Sequence, residues 1–236
     1  MKRTRGVAPP QGALVRRRSG RPSREDAIRL RQTIIDVARR LFLEQGYGST
    51  SIDQIALLAH ISKRTLYHRF QDKAALFAVV VGDIVTRLRP PGAADTDALA
   101  KLASGPDIAV ILHRLAQLAL AAALTPEALA LTRLLIAEAI RFPELARAAE
   151  AEGSRREGIV LIAALLDRET KAGRIAVTKP DFAAEQFLQM VVSVPIRRAM
   201  GLGLPMSAAE CETWIDDTVA LFLQGCAAGL TKLKDK

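Results

Sequence analysis

Residues 50–70 read TSIDQIALLAHISKRTLYHRF, and the fold turns on how they are interpreted. Ser51, with Gln54 three residues on, has the spacing of a capping box. A helix therefore opens at Thr50 or Ser51 and buries Ile52, Ile55, Ala56 and Leu58. A tight turn, "AHI", follows. Ser62 then caps another helix that buries Leu66 and Phe70. With those side chains inward, Lys63, Arg64, Thr65, Tyr67 and His68 project from the other side. So many donors on one helix make either a solvated face or a face shaped for an anionic partner.

The rest of the chain favours the second reading. Half of the 236 residues are apolar and only 4% are aromatic, with Ala and Leu dominant, so the core should be helix packed on helix. The net charge of +9 is uneven. Residues 1–24 hold eight basic residues and no acid, residues 25–77 hold eight basic and six acidic, and residues 78–236 hold 18 basic and 19 acidic. A basic N-terminal end on a near-neutral body suggests an anion-binding part and a part with another task.

A helix, a tight turn and a second helix with basic and hydroxyl groups near its start is the helix-turn-helix arrangement, whose second helix fits the major groove of DNA. Arg64 can make a bidentate contact to guanine. Thr65 and His68 can read a base or hold a phosphate, and Tyr67 has the reach for a phosphate. Thr50 or Ser51 offers a hydroxyl and unpaired backbone N–H groups to the opposite strand. Lys73 adds a cation at the start of the next helix.

Along the chain, residues 1–22 read as a disordered basic extension, residues 23–77 as the DNA-binding domain and residues 78–236 as a larger helical domain. In "RPSRED" Ser23 caps a first helix, with Glu25 and Asp26 in its first turn. Its apolar stripe is Ile34, Ile35, Ala38, Leu41 and Phe42, and Gly46 is a left-handed terminator. Further helices are expected at about 72–88, 107–124 and 126–141, the last with Thr125 as cap and Pro126 at its first position. Another starts at Pro143 and reaches about Lys171 with a bend near Gly153. The next ends near Gly201. A last helix, opened by a Ser207–Glu210 capping box, ends near Gly229. Residues 95–103 form a short segment whose pattern fits no one element. No stretch alternates at period two long enough for a strand, so the chain reads as all-α, with about nine helices.

Residues 31–77 resemble the DNA-binding region of the TetR/AcrR family of bacterial regulators, through "A..LF...GY..TS...IA", "SK.TLY.RF" and "K..LF". The resemblance places Thr50, Lys63, Thr65, Tyr67, His68 and Lys73 at positions used for DNA contacts. Two departures stand out. His60 occupies a turn position usually held by Gly, and His is among the residues that tolerate positive φ. Arg64 replaces a residue that is usually small, which implies an operator preference of its own. "RLLIAEAIRFPELA" (133–146) and "DFAAEQFLQMV" (181–191) resemble the C-terminal domain of the AefR-like branch. That implies a ligand-binding and dimerising domain, with helices at about 181–201 and 207–229 pairing across a two-fold axis. Ile215, Val219, Phe222 and Cys226 form one stripe on the last helix, widened by Trp214, Leu221 and Gly225.

The resemblance thus implies a homodimeric repressor of a pseudo-palindromic operator, released when an apolar small molecule binds among the helices between about 72 and 172. The helix at about 72–88 would be the lever. Activation, or regulation without a small ligand, is the alternative within the class, and a helical carrier or enzyme with an incidental basic segment is the alternative outside it. No cluster of titratable residues argues catalysis, and His60, His68 and His113 have no metal-ligand spacing with the cysteines, so neither metal nor cofactor is expected. Arg133, Glu138 and Arg141 read as an internal ion pair on one helix, and His113 as an interior or surface histidine or a lining residue of the ligand cavity. Cys211 and Cys226, about 22 Å apart if they share a helix, cannot bridge within the chain. With no secretory signal and no apolar run long enough for a membrane, the cytoplasm is the expected compartment. The N-terminal arm either reaches a minor groove and adds non-specific affinity or is plain disorder.

Overall fold

The structure is a computed structural model that describes residues 24–88, 107–151 and 154–234. Among the described residues there are ten helices and no strand. They are α1 (Arg24–Gln45), α2 (Ile52–Leu58), α3 (Lys63–Arg69), α4 (Lys73–Leu88), α5 (Ile108–Ala123), α6 (Pro126–Glu138), α7 (Pro143–Ala151), α8 (Ser154–Lys171), α9 (Pro180–Ala199) and α10 (Ala208–Lys234). No single helix among them is long and apolar enough to cross a membrane. The expected Ser23 cap, the arm at 1–22, the segment at 95–103 and the bend at Gly153 lie outside the described residues.

The helices enclose two cores. The first joins the α1 stripe (Ile34, Ile35, Ala38, Leu41, Phe42) to Ile55, Leu66 and the inner face of α4, from Leu76 through Ile84. Leu131 and Leu134 of α6, with Leu145 and Ala148 of α7, enter this same core. The second core gathers α5, α8, α9 and α10 around Leu112, Leu166, Phe187 and Ile215. The helical run expected over 143–171 is described as α7 and α8, on either side of residues 152–153. Its first half buries Leu145 in one core and its second half buries Ile162, Leu165 and Leu166 in the other. A small correction concerns α6, which stops at Glu138 rather than 141. There the N–H groups of Arg141 and Phe142 both close back on the Glu138 carbonyl, just before Pro143.

Several ends follow their local chemistry closely. Thr125 caps α6 through the Ala128 N–H at 3.2 Å. Ser207 and Glu210 form the reciprocal box at the start of α10, at 2.8 and 3.2 Å, and the helix runs past Gly229 to Lys234. On α9, Pro195 supplies no N–H for the Val191 carbonyl, and the Trp214 indole N–H of α10 donates to that oxygen at 2.9 Å. This bond pins α9 to α10 beside the contact of the Phe187 and Phe222 rings, 5.0 Å apart. Ile215, Val219 and Cys226 of the α10 stripe are buried in the chain's own core, whereas Leu221, 61% exposed, and Gly225 remain on the surface. Both cysteines are free thiols, and burial raises their pKa.

At the end of α8, Gly173 takes a left-handed φ of 70° and the Arg174 N–H closes on the Glu169 carbonyl, a Schellman stop. The turn brings the Arg174 guanidinium back onto the buried Glu169 carboxylate at 2.5 and 2.9 Å, with Arg168 at 3.0 Å. The Arg174 hydrogen bonds hold the Glu169 carboxyl below the usual carboxylate range. A depressed folded pKa contributes stability above the unfolded value and loses it as pH falls through the folded one. Glu169→Gln is therefore expected to be less stable at pH 7 and to show a flatter loss of stability below about pH 4.5. Urea midpoints from pH 7 to pH 3 check this. An unchanged acid limb would mean that the pair contributes nothing.

Candidate nucleic-acid interface

Local chemistry sets the pose of α3. Ser51 caps α2 by accepting the Gln54 N–H at 3.1 Å. The reciprocal half of the expected box is replaced, because the Gln54 side-chain amide donates to Gln45 at 3.0 Å and ties α2 to α1. The turn after α2 is a Schellman motif, with His60 N–H on the Leu57 carbonyl and Ile61 N–H on the Ala56 carbonyl. His60 sits at φ 54° and does there what Gly usually does. Ser62 caps α3 through the Thr65 N–H at 3.1 Å, and the Ser62 and Thr65 hydroxyls lie 2.8 Å apart. Leu66 is fully buried below. Arg69 turns back to the Ala27 carbonyl at 3.2 Å, which fastens α3 to α1.

The outward face of α3 holds Lys63, Arg64, Tyr67 and His68, all exposed, with Thr65 half-buried at its edge. These positions lie one turn apart, as one groove-facing surface requires. Lys63 is not idle: its Nζ lies 2.7 Å from Asp53 of α2, and that bond raises its pKa. Both partners are exposed, and water screens such a pair enough for a phosphate to displace it. Asp53 was not among the expected site residues. Its signal, an acid in the first turn of the preceding helix, reads more simply as a dipole partner.

Two expected contacts point elsewhere. Thr50 is only 2% exposed, and its hydroxyl donates to the Gly46 carbonyl at 2.8 Å, so it braces the α1–α2 loop while Ser51 stays outside. Lys73 is half-buried with its Nζ 4.2 Å from the centre of the Tyr47 ring, and burial lowers its pKa. The expected Arg133–Glu138–Arg141 ion pair is also corrected. Glu138 accepts the N–H groups of Tyr47 and Gly48 at 2.9 and 2.6 Å, and Arg141 lies over the Phe142 ring. The sequence signal for that link was two glycines flanking Tyr47, a loop bare enough to admit a foreign carboxylate. His113 of α5 faces Asp216 at 3.0 Å and Glu212 at 3.8 Å on α10.

Residues 34–80 match the profile described as bacterial regulatory proteins of the tetR family, and residues 111–226 match that of the AefR-like transcriptional repressor C-terminal domain. The HTH-type transcriptional regulator AcrR of Shigella flexneri is 42% identical over 60 residues, 25% of this chain and 28% of that protein. The icaADBC negative regulator IcaR of Staphylococcus aureus strain Newman is 40% identical over 48 residues, 20% of this chain and 26% of that protein. The chain thus spans under a third of the length of these curated relatives. Two solved structures match more of it, each covering 84% of this chain and 97% of its own. A TetR-family transcriptional regulator from Mesorhizobium loti is 32% identical with a TM-score of 0.70, and the flavonoid-responsive regulator FrrA is 30% identical with a TM-score of 0.66. Profiles and near-full-length structures fall on one family, and this chain belongs to it: the TetR family of bacterial transcriptional regulators.

Proposed function

We propose that this chain is a ligand-responsive repressor that binds a pseudo-palindromic operator as a homodimer in the cytoplasm. The observation that carries the reading is the rigid presentation of α3: capped by Ser62, anchored by Leu66 and Arg69, with Arg64, Tyr67 and His68 free to face outward. Lys63 joins them once a phosphate draws it from Asp53, and Ser51 offers a hydroxyl from the start of α2. Exposed Phe182 on α9 and Leu221 on α10 support pairing of these two helices with a second copy. A relative named for its response to flavonoids supports a small-molecule effector. Such an effector acts only if it binds a conformer with a different head separation more tightly than the DNA-bound one.

The test is enrichment of duplexes from a random pool by the full chain, followed by affinity against salt. The expected result is two inverted half-sites with centres about 34–36 Å apart or a little more. The affinity should fall log-linearly with salt, with a slope of about 0.9 per neutralised phosphate. Deleting residues 1–22 is expected to lower affinity on every duplex and to leave the preferred sequence unchanged. Enrichment of no sequence would overturn the reading.

A further inference from the structure

The loop between α1 and α2 is held by the last residue of α6. Gly46 adopts φ 86°, and a Cβ on it would overlap the Glu138 carboxylate. A Cβ on Gly48 would stand 3.1 Å from Glu138 Oε2 and from the Phe142 ring. The loop thus lacks side chains where the last residue of α6 enters. Glu138 accepts both consecutive N–H groups, Oε1 from Tyr47 at 2.9 Å and Oε2 from Gly48 at 2.6 Å. Two charge-assisted bonds in a fork give direction as well as strength. Phe142 packs edge-on against Tyr47 with ring centres 5.1 Å apart, and the Tyr47 hydroxyl donates to Glu144 of α7 at 3.2 Å.

What the loop holds is the reading head. The Thr50 hydroxyl closes on Gly46, Ser51 caps α2, and α2 passes through the His60 turn directly into α3. The opposite end of α6 is fastened too, where Glu127 pairs with Arg39 of α1 at 2.7 Å. A 13-residue helix bound to the head at both ends acts as a strut, and any tilt of it reaches α2 and α3. We propose that Glu138 is the positioning residue through which the second part of the chain sets the geometry of α3 on DNA. The proposal rests on the DNA-reading function above and adds the point of control: the carboxylate fork on Tyr47 and Gly48 defines the operator-competent pose.

The experiment compares the full chain with Glu138→Ala, Glu138→Gln and Gly48→Ala. Two probes are used, the duplex that the wild type enriches and a scrambled duplex of the same length and charge. Affinity of Glu138→Ala for the enriched duplex should drop about tenfold or more, the equivalent of losing one well-made contact. Affinity for the scrambled duplex should change by less than about twofold, because phosphate attraction does not need the pose. Glu138→Gln, which keeps one carbonyl acceptor, should fall between. Gly48→Ala, which retains the carboxylate but displaces it, should show the same selective loss and serves if Glu138→Ala does not fold. Equal weakening on both duplexes, or unchanged affinity for the enriched one, would overturn the proposal. A wild type that enriches no sequence would overturn the DNA reading instead.

Discussion

Phe77→Ala is expected to lower the unfolding free energy by about 3–5 kcal/mol, the usual cost of emptying a buried phenylalanine site. Phe77 is 1% exposed on α4. Its ring meets Phe42 at 5.5 Å and Tyr47 at 5.3 Å, both edge to face, and Tyr47 in turn meets Phe142. The Phe77 ring therefore joins α4 to α1 and to the α1–α2 loop, and through Tyr47 the cluster extends to the corner after α6. The surrounding helices bring side chains from distant parts of the chain, which limits how far the hole can collapse. Against a typical total of about 5–15 kcal/mol, the loss would leave the first core marginal. Urea unfolding followed by circular dichroism measures it. A loss below about 1 kcal/mol would mean that the aromatic knot does not hold the head to the strut.

The second large effect concerns recognition. Arg64 is exposed on the outward face of α3 and has no partner among the described residues, whereas Lys63 must first leave Asp53. A guanidinium set against guanine discriminates by about 1–3 kcal/mol, or roughly 5- to 150-fold in affinity. Arg64→Ala is therefore expected to erase preference at one base position in each half-site and leave the neighbouring positions intact. Lys63→Ala should weaken all duplexes together and flatten the salt slope, but by less than a fully free lysine would. Repeating the enrichment with each variant separates the two roles. Retention of every base preference by Arg64→Ala would remove Arg64 from the interface.

What the sequence made legible was local. Caps at Ser51, Ser62, Thr125 and Ser207 rest on hydroxyls beside helix starts, and the stripe from Ile34 to Phe42 rests on periodicity. His60 was readable as the left-handed residue because the family resemblance puts it at a turn position usually held by Gly. What escaped was long-range. Thr50 and Ser51 are adjacent hydroxyls with the same propensities, and only the fold of the Gly46 loop turns one in and leaves the other out. Lys73 stands at a helix start, where a cation invites a phosphate, yet Tyr47 from 26 residues earlier offers it a ring face. Glu138 lies among arginines of its own helix but reaches backbone 90 and 91 residues away. The apolar residues of α7 and α8 divide between two cores, and one-dimensional periodicity does not count cores.

Guanine N7 lies in the major groove and adenine N3 in the minor, so methylation of a bound duplex by dimethyl sulfate reports which groove the protein fills. With the enriched duplex saturated by the full chain, guanine N7 should be shielded in two patches about one helical turn apart on one face. The shielded guanine facing Arg64 should become reactive again in Arg64→Ala. Shielding confined to adenine N3, or none at all in a fully bound duplex, would contradict an α3 that reads base edges from the major groove.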